Sequence, residues 1–220
     1  YNVPMRVQEN MFRAYSEAVQ YRVHGASRAA AKGAVAALVR SVTSRSMRTP
    51  HTGGMHYDEA QPRIPTAAVT TEDATLLARL IEGEAPVRLR LRMEAEMVEE
   101  AESANVIGEL RGRERPDEVV VIGAHIDTWD LGSGAHDDGG GVVMVIEALR
   151  LLRELGLRPR RSIRGVLFTN EEMGLAGGRD YRERHQAELA GHVAVMEADA
   201  GAFAPWAFGF KGSEEGEAMA

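Results

Sequence analysis

The chain has 220 residues, 44% of them hydrophobic, with 26 Lys and Arg against 33 Asp and Glu for a net charge of −7, and no Cys. That length holds one large or two small domains, and the acidic balance excludes the clustered basic surface by which a domain grips nucleic acid, so no nucleic-acid partner is expected. Without Cys, disulfides and thiolate metal sites are excluded, and any metal has to be held by His and carboxylates.

Residues 1–10, YNVPMRVQEN, do not begin with Met and carry no apolar h-region, so no signal peptide is read in them. No apolar run approaches the roughly 20 residues that a bilayer-spanning helix needs, so no membrane span is expected. Residues 1–95 read as a small α/β unit that opens on a strand at 1–5. The Ala-rich stretch 24–33, HGASRAAAKG, reads as a helix closed by Gly33. A buried strand, AVAALVRSV at 34–42, follows. After a polar loop with two Pro and two Gly comes a short strand, IPTAAV at 64–69. Thr70 and Asp73 have the spacing of a capping box, and Leu76, Leu77 and Leu80 then recur at helical spacing. Residues 87–97, VRLRLRMEAEM, alternate apolar and charged side chains, the pattern of a strand with one wet face.

The acidic connector VEEAESA at 98–104 marks a boundary, which divides the chain into domains 1–97 and 98–220. In the second, NVIGELRG (105–112) and EVVVIGAH (118–125) are expected to pair with each other across a polar turn. A helix over 139–155, a buried strand over 162–170, a charged surface helix over 176–189 and a buried strand over 192–199 follow. Apolar strands alternating with helices predict an α/β fold with helices on both faces of the sheet. Functional residues of such sheets gather at the carboxyl ends of strands.

Three groupings with acidic residues fall at such ends, and a fourth, Asp137 and Asp138, falls across a loop just before a Gly-rich helix start. His125 and Asp127 flank Ile126 at the end of an apolar run, so their side chains leave on one side if the strand persists and one carboxylate can orient the imidazole. Asp137 and Asp138 precede Gly139-Gly140-Gly141. The adjacent Glu171 and Glu172 repel each other, which favours one as a cation ligand and the other as a base with raised proton affinity. Asp199 follows HVAV, and Glu197 either faces away from it or supports it. Each grouping also has a plain structural reading, as a locally bonded His, a helix-capping acid pair or a solvated helix start. Their company in one sheet favours a metal site. His24, His51, His56, His136, His185 and His192 lack such neighbours and read as surface or loop residues, while Trp129, Trp206 and Phe208 are candidates to line a pocket.

The order HxD, DDGGG, NEE and EADAG resembles the zinc aminopeptidase family with co-catalytic metals. The likeness extends upstream, through AVQYRVHGASRAAAKGAVAALVRSV and PHTG, into a protease-associated (PA) domain. It implies a three-layer phosphorylase/hydrolase-like catalytic sheet, incomplete here, over 98–220, with an inserted PA-like α/β domain, truncated at its N-terminus, over 1–97. By the same resemblance the enzyme holds two zinc ions. His125 and Asp199 bind the first, Asp137 bridges both through a unit joined to Asp138 by a cis peptide, and Glu172 binds the second. Asp127 orients His125, and Glu171 is the general base.

The family's second zinc has a further His ligand near the end of the catalytic domain, and no His follows Asp199 here. The chain is therefore expected to be a fragment that binds metal weakly and has no useful catalysis by itself. For the parent protein the resemblance implies hydrolysis of dipeptides or short peptides with a free N-terminus, a homodimer, and a secreted, periplasmic or lysosomal location. A single-zinc relative of glutaminyl cyclase and a non-catalytic scaffold like the transferrin receptor are the alternatives.

Overall fold

The computed structural model describes residues 1–7, 11–45, 48–83, 85–96, 98–199, 201–204, 209 and 211–213. They form two compact units, Tyr1–Ala101 and Glu102–Ala220.

The first unit contains α1 (Met11–Val23), α2 (Gly25–Ala30), β1 (Ala37–Arg40), β2 (Thr66–Val69) and α3 (Thr71–Ile81). Strands β1 and β2 pair in parallel, with Ala37 opposite Thr66. Ala26 and Ala30 of α2 pack on Ala37 and Ile64, and such small side chains let a short helix lie close to its strand. Helix α1 has no strong apolar stripe and buries only Ala14 and Ala18, four residues apart, which is why its sequence does not announce it. The expected strand at 1–5 reduces to Tyr1, whose ammonium donates to Leu38 O at 2.8 Å and whose carbonyl accepts from Arg40 N at 2.9 Å.

Helix α3 begins as its capping pattern predicts: Thr70 Oγ1 accepts from Asp73 N at 3.0 Å and donates to Asp73 Oδ2 at 2.8 Å. Its buried residues are Thr71 and Ala74, whereas Leu76 and Leu80 are exposed. The alternating stretch at 87–96 forms no strand among the described residues. A strand exists through ladder bonds to a neighbour, and among the described residues no strand pairs with this stretch.

The second unit contains β3 (Val106–Leu110), β4 (Arg115–His125), α4 (Gly139–Glu154), β5 (Arg161–Phe168), α5 (Ala176–Arg184) and β6 (His192–Glu197). The sheet order is β3-β5-β4-β6. Strand β4 runs parallel to both β5 and β6, and β3 runs antiparallel to β5, so the sheet is mixed.

The expected β3–β4 pairing is therefore wrong, because β5 lies between the two strands. The turn at 111–114 spends its polar groups on the chain leading into β5 instead of closing a hairpin. Gly112 N donates to Ser162 Oγ at 3.0 Å, and Arg113 N and Arg115 N donate to the carbonyls of Pro159 and Arg160 at 3.0 and 2.8 Å. Across the β3–β5 ladder Glu109 stands directly opposite Arg164 and pairs with it at 2.7 Å.

Helices cover both faces. Toward α4, a Cβ on Gly165 would lie 2.7 Å from Leu149 Cδ1 and 3.0 Å from Val145 Cγ1, so glycine there lets the helix settle on β5. Neighbouring side chains on a strand point to opposite faces. Accordingly Val166 meets Tyr181 of α5, together with Val119 and Val121. Arg164 Nη1 donates to Tyr181 Oη at 3.0 Å, which also bonds His192 Nε2 at 2.9 Å, and the His185 ring lies 4.3 Å from that of Tyr181. His185 and His192 thus belong to this half-buried network and not to the surface. Because β4, β5 and β6 run the same way, their carboxyl ends share one edge of the sheet, beside the first turn of α4.

Candidate metal centre

His125 is the last residue of β4 and is 1% exposed. Its backbone N donates to Asp138 Oδ2 at 3.0 Å, and its Nδ1 lies 3.0 Å from the Asp127 carbonyl oxygen. That carbonyl can only accept, so the ring proton belongs on Nδ1 and the lone pair on Nε2. Nε2 faces Asp137 Oδ1 at 3.2 Å and Asp199 Oδ1 at 3.5 Å. One ligand atom from each of His125, Asp137 and Asp199 lies within 4.8 Å of the others.

Asp138 fixes the frame. Joined to Asp137 by a cis peptide and 1% exposed, it caps α4 by accepting from Gly141 N at 3.0 Å through Oδ1, while Oδ2 holds the end of β4. Gly141 has to be glycine: a Cβ would collide with the carbonyl oxygen of Ala198 and with the Asp138 carboxylate. That close approach brings the helix start against the segment carrying Asp199.

The Asp127 carboxylate takes a different part from the one expected of it. The bond that orients the His125 ring comes from the Asp127 backbone carbonyl, while the carboxylate oxygen nearest Nδ1 is 3.6 Å away. The carboxylate instead accepts from Glu171 N at 2.9 Å and Glu172 N at 3.1 Å, anchoring the acid pair that follows β5. Glu172 Oε2 in turn accepts from Trp129 Nε1 at 2.5 Å. Glu171 lines a cavity of about 290 Å³ with Phe168, Leu175, Val195 and Met196. Trp206 and Phe208, the other expected pocket residues, lie outside the described residues.

The electrostatics follow from crowding. Burial pushes the proton affinities of Asp199, Glu171, Glu172 and Glu197 upward, and the neighbouring carboxylates add to the shift for each of them. At His125 burial acts to lower the imidazole pKa, but the Asp127 carbonyl and the charges of Asp199, Asp138 and Glu171 outweigh it, and the net shift is upward. Acids that resist ionising beside one another call for a cation. An imidazole nitrogen with its second nitrogen bonded to a carbonyl, plus two carboxylate oxygens, is a donor set that suits zinc.

Sequence reasoning saw Asp138 only as a cap and a cis partner; its bond to the His125 backbone has no local signal, since the two meet only across the loop. The partner of Trp129 is equally unreadable, because Glu172 follows a different strand. His136, read as a loop residue, packs edge-on against Phe203 at 4.9 Å.

A mixed α/β sheet in which the ends of β4 and β6 bring His125 and Asp199 together with Asp137, just before α4, defines an α/β protein with a group of side chains that could hold a metal ion. The chain belongs to peptidase family M28, which matches residues 105–219. It is 43% identical to carboxypeptidase Q of Homo sapiens over 205 residues, 93% of this chain and 43% of that protein. Against carboxypeptidase Q of Mus musculus it is 43% identical over 213 residues, 97% of this chain and 45% of the relative. Among solved structures, a peptidase M28 precursor from Shewanella amazonensis SB2B aligns with a TM-score of 0.82 at 41% identity, covering 86% of this chain and 43% of that one. An aminopeptidase from Aneurinibacillus sp. strain AM-1 aligns with a TM-score of 0.52 at 20% identity over 79% of this chain and 42% of that one, a likeness of fold alone. The chain spans less than half the length of the curated relatives it matches.

Proposed function

We propose that the protein is the metal-bearing part of a zinc exopeptidase that hydrolyses dipeptides or short peptides with a free N-terminus. The observation that carries the reading is the convergence of His125, Asp137 and Asp199 at one sheet edge in a chain of family M28. His125, Asp137 and Asp199 would hold a first zinc, with Asp137 shared and Glu172 as a ligand of a second. When bound, zinc polarises the scissile carbonyl and makes a water acidic enough to attack near neutral pH.

The residues themselves divide the remaining work. Asp127 fixes the backbone of Glu171 and Glu172, so both carboxyl groups start from a set position. Glu171, whose proton affinity is raised by burial, takes a proton from the attacking water and returns it to the departing amine as the peptide C–N bond breaks. The cavity beside it, lined by Phe168, Leu175, Val195 and Met196, offers apolar surface next to the carboxyl group of Glu171.

The first unit is read as a protease-associated domain over 1–97, and 98–220 as the catalytic domain. The relatives' matches run through both, since the human relative aligns with 93% of the chain. A homodimer and a secreted, periplasmic or lysosomal location complete the proposal. The deciding experiment is Glu171→Gln in the full-length protein, assayed on dipeptides alongside its zinc content. Zinc retained with turnover reduced by about 10²-fold or more is the expected result; wild-type turnover would overturn the base assignment.

A further inference from the structure

The loop after β4 reaches the two acids assigned to the second zinc. Thr128 Oγ1 donates to the Asp137 carbonyl at 3.4 Å, and Trp129 Nε1 donates to Glu172 Oε2 at 2.5 Å. Behind the indole the loop is closed by Gly132 N on the Trp129 carbonyl at 2.8 Å. Two residues before it, Asp127 Oδ2 holds Glu172 N at 3.1 Å. Glu172 is thus held at its main chain by Asp127 and at its side chain by Trp129, both from one short stretch.

The chemistry of the donor matters. An indole N–H donates and cannot accept, so it commits one carboxylate oxygen in a fixed direction. It carries no charge, so it steers an anionic oxygen without competing with a metal cation, as Lys or Arg at this place would. A hydrogen bond to an ionised oxygen is of the stronger kind, and Trp129 is half-buried, which limits competition from water. Glu171, the neighbour of Glu172, has its backbone held by Asp127 as well, but the bond to Trp129 distinguishes the two acids.

We propose that Trp129 is a positioning residue for the second metal: its indole N–H engages Oε2 of Glu172 and holds in one orientation the carboxylate that would serve as a ligand, while Glu171 is left to move protons. The inference rests on the two-zinc reading above. It is tested by titrating Zn²⁺ into metal-free full-length protein and following each equivalent by calorimetry, for wild type, Trp129→Phe, and a variant with benzothienylalanine at position 129, which keeps the indole shape and removes only the N–H. Wild type is expected to take two equivalents. Both variants keep the first unchanged and bind the second about 10- to 100-fold more weakly, the usual effect of losing a group that orients a metal ligand. Should Trp129→Phe fail to fold, the isosteric variant decides alone. Second-equivalent affinity equal to wild type in the isosteric variant overturns the role of Trp129. A wild-type protein that takes up one equivalent only overturns the two-zinc reading, a failure visible before any variant is made.

Discussion

The Asp138 carboxylate joins the end of β4 to the start of α4, accepting from His125 N at 3.0 Å on one oxygen and from Gly141 N at 3.0 Å on the other. His125 and Asp138 are both 1% exposed, so neither bond can be replaced by solvent. The spacing between the imidazole and Asp137 is inherited from this one side chain.

Asp138→Ala leaves the buried His125 N–H without an acceptor and removes the cap of α4. Adding the cost of an unsatisfied buried donor to that of a lost cap gives a destabilisation of about 2 to 5 kcal/mol. Asp138→Asn keeps one acceptor oxygen and loses less. Urea unfolding of the metal-free proteins should rank them wild type, Asn, Ala; equal midpoints for all three would contradict the clamp.

Removal of metal should be visible as lost stability. A ligand that binds only the folded state adds about 4 kcal/mol at 1,000 times its dissociation constant. Zinc should therefore raise the melting temperature of wild type, and His125→Ala should abolish most of that rise, because it deletes the nitrogen at the centre of the donor set. A rise of the same size in His125→Ala would place the metal elsewhere.

The contribution of the metal-free site to the pH dependence of stability has a defined sign. Asp199, Glu171 and His125 all have proton affinities raised by folding, so at these three groups the folded state holds more protons than the unfolded one, whereas arginine partners act in the opposite sense at Glu114, Glu118, Glu147 and Glu188. The contribution of Asp199, Glu171 and His125 to stability is complete below the unfolded values and is lost as pH rises through the folded ones. The loss begins above about pH 4 for the carboxyl groups and above about pH 6.5 for the imidazole. Zinc affinity should run the other way, falling on acidification because protons compete for the same atoms. Calorimetric melting from pH 4 to 8, with and without zinc, for wild type and Asp199→Asn, checks both directions: the stability of metal-free wild type relative to Asp199→Asn should fall as pH rises, and a rise would contradict the assignment.

Charge reversal at Glu109 tests the strand order. Glu109→Lys puts a like charge opposite Arg164 on β5, where cross-strand pairs are worth roughly 0.2 to 1 kcal/mol. The melting temperature should fall, and the double variant Glu109→Lys, Arg164→Glu should recover part of it. No coupling between the two positions would argue against β3 beside β5.

Much of the site was legible because its residues sit at the ends of elements that advertise themselves. The run before His125 is apolar enough to be a buried strand whatever surrounds it, and Asp138 before three glycines marks a helix start. Legibility failed where an element depends on a partner. The alternation at 87–96 describes a surface that fits a sheet, yet among the described residues no strand pairs with it and it forms none. Strands β3 and β4 are adjacent in sequence and apolar, but the turn between them bonds to 158–162 and leaves the place between them to β5.

By itself, the sequence determined the elements around the site and the kinds of donor they carry: one imidazole, several carboxylates and no thiol. The tertiary structure alone decided how those donors are shared out. It gave the orientation of His125 to the Asp127 carbonyl, the backbone of Glu171 and Glu172 to the Asp127 carboxylate, and Glu172 Oε2 to Trp129. The reason is physical: spacing along the chain sets which face a side chain leaves, whereas its hydrogen-bond partner is set by the register in which β4, β5 and β6 lie side by side.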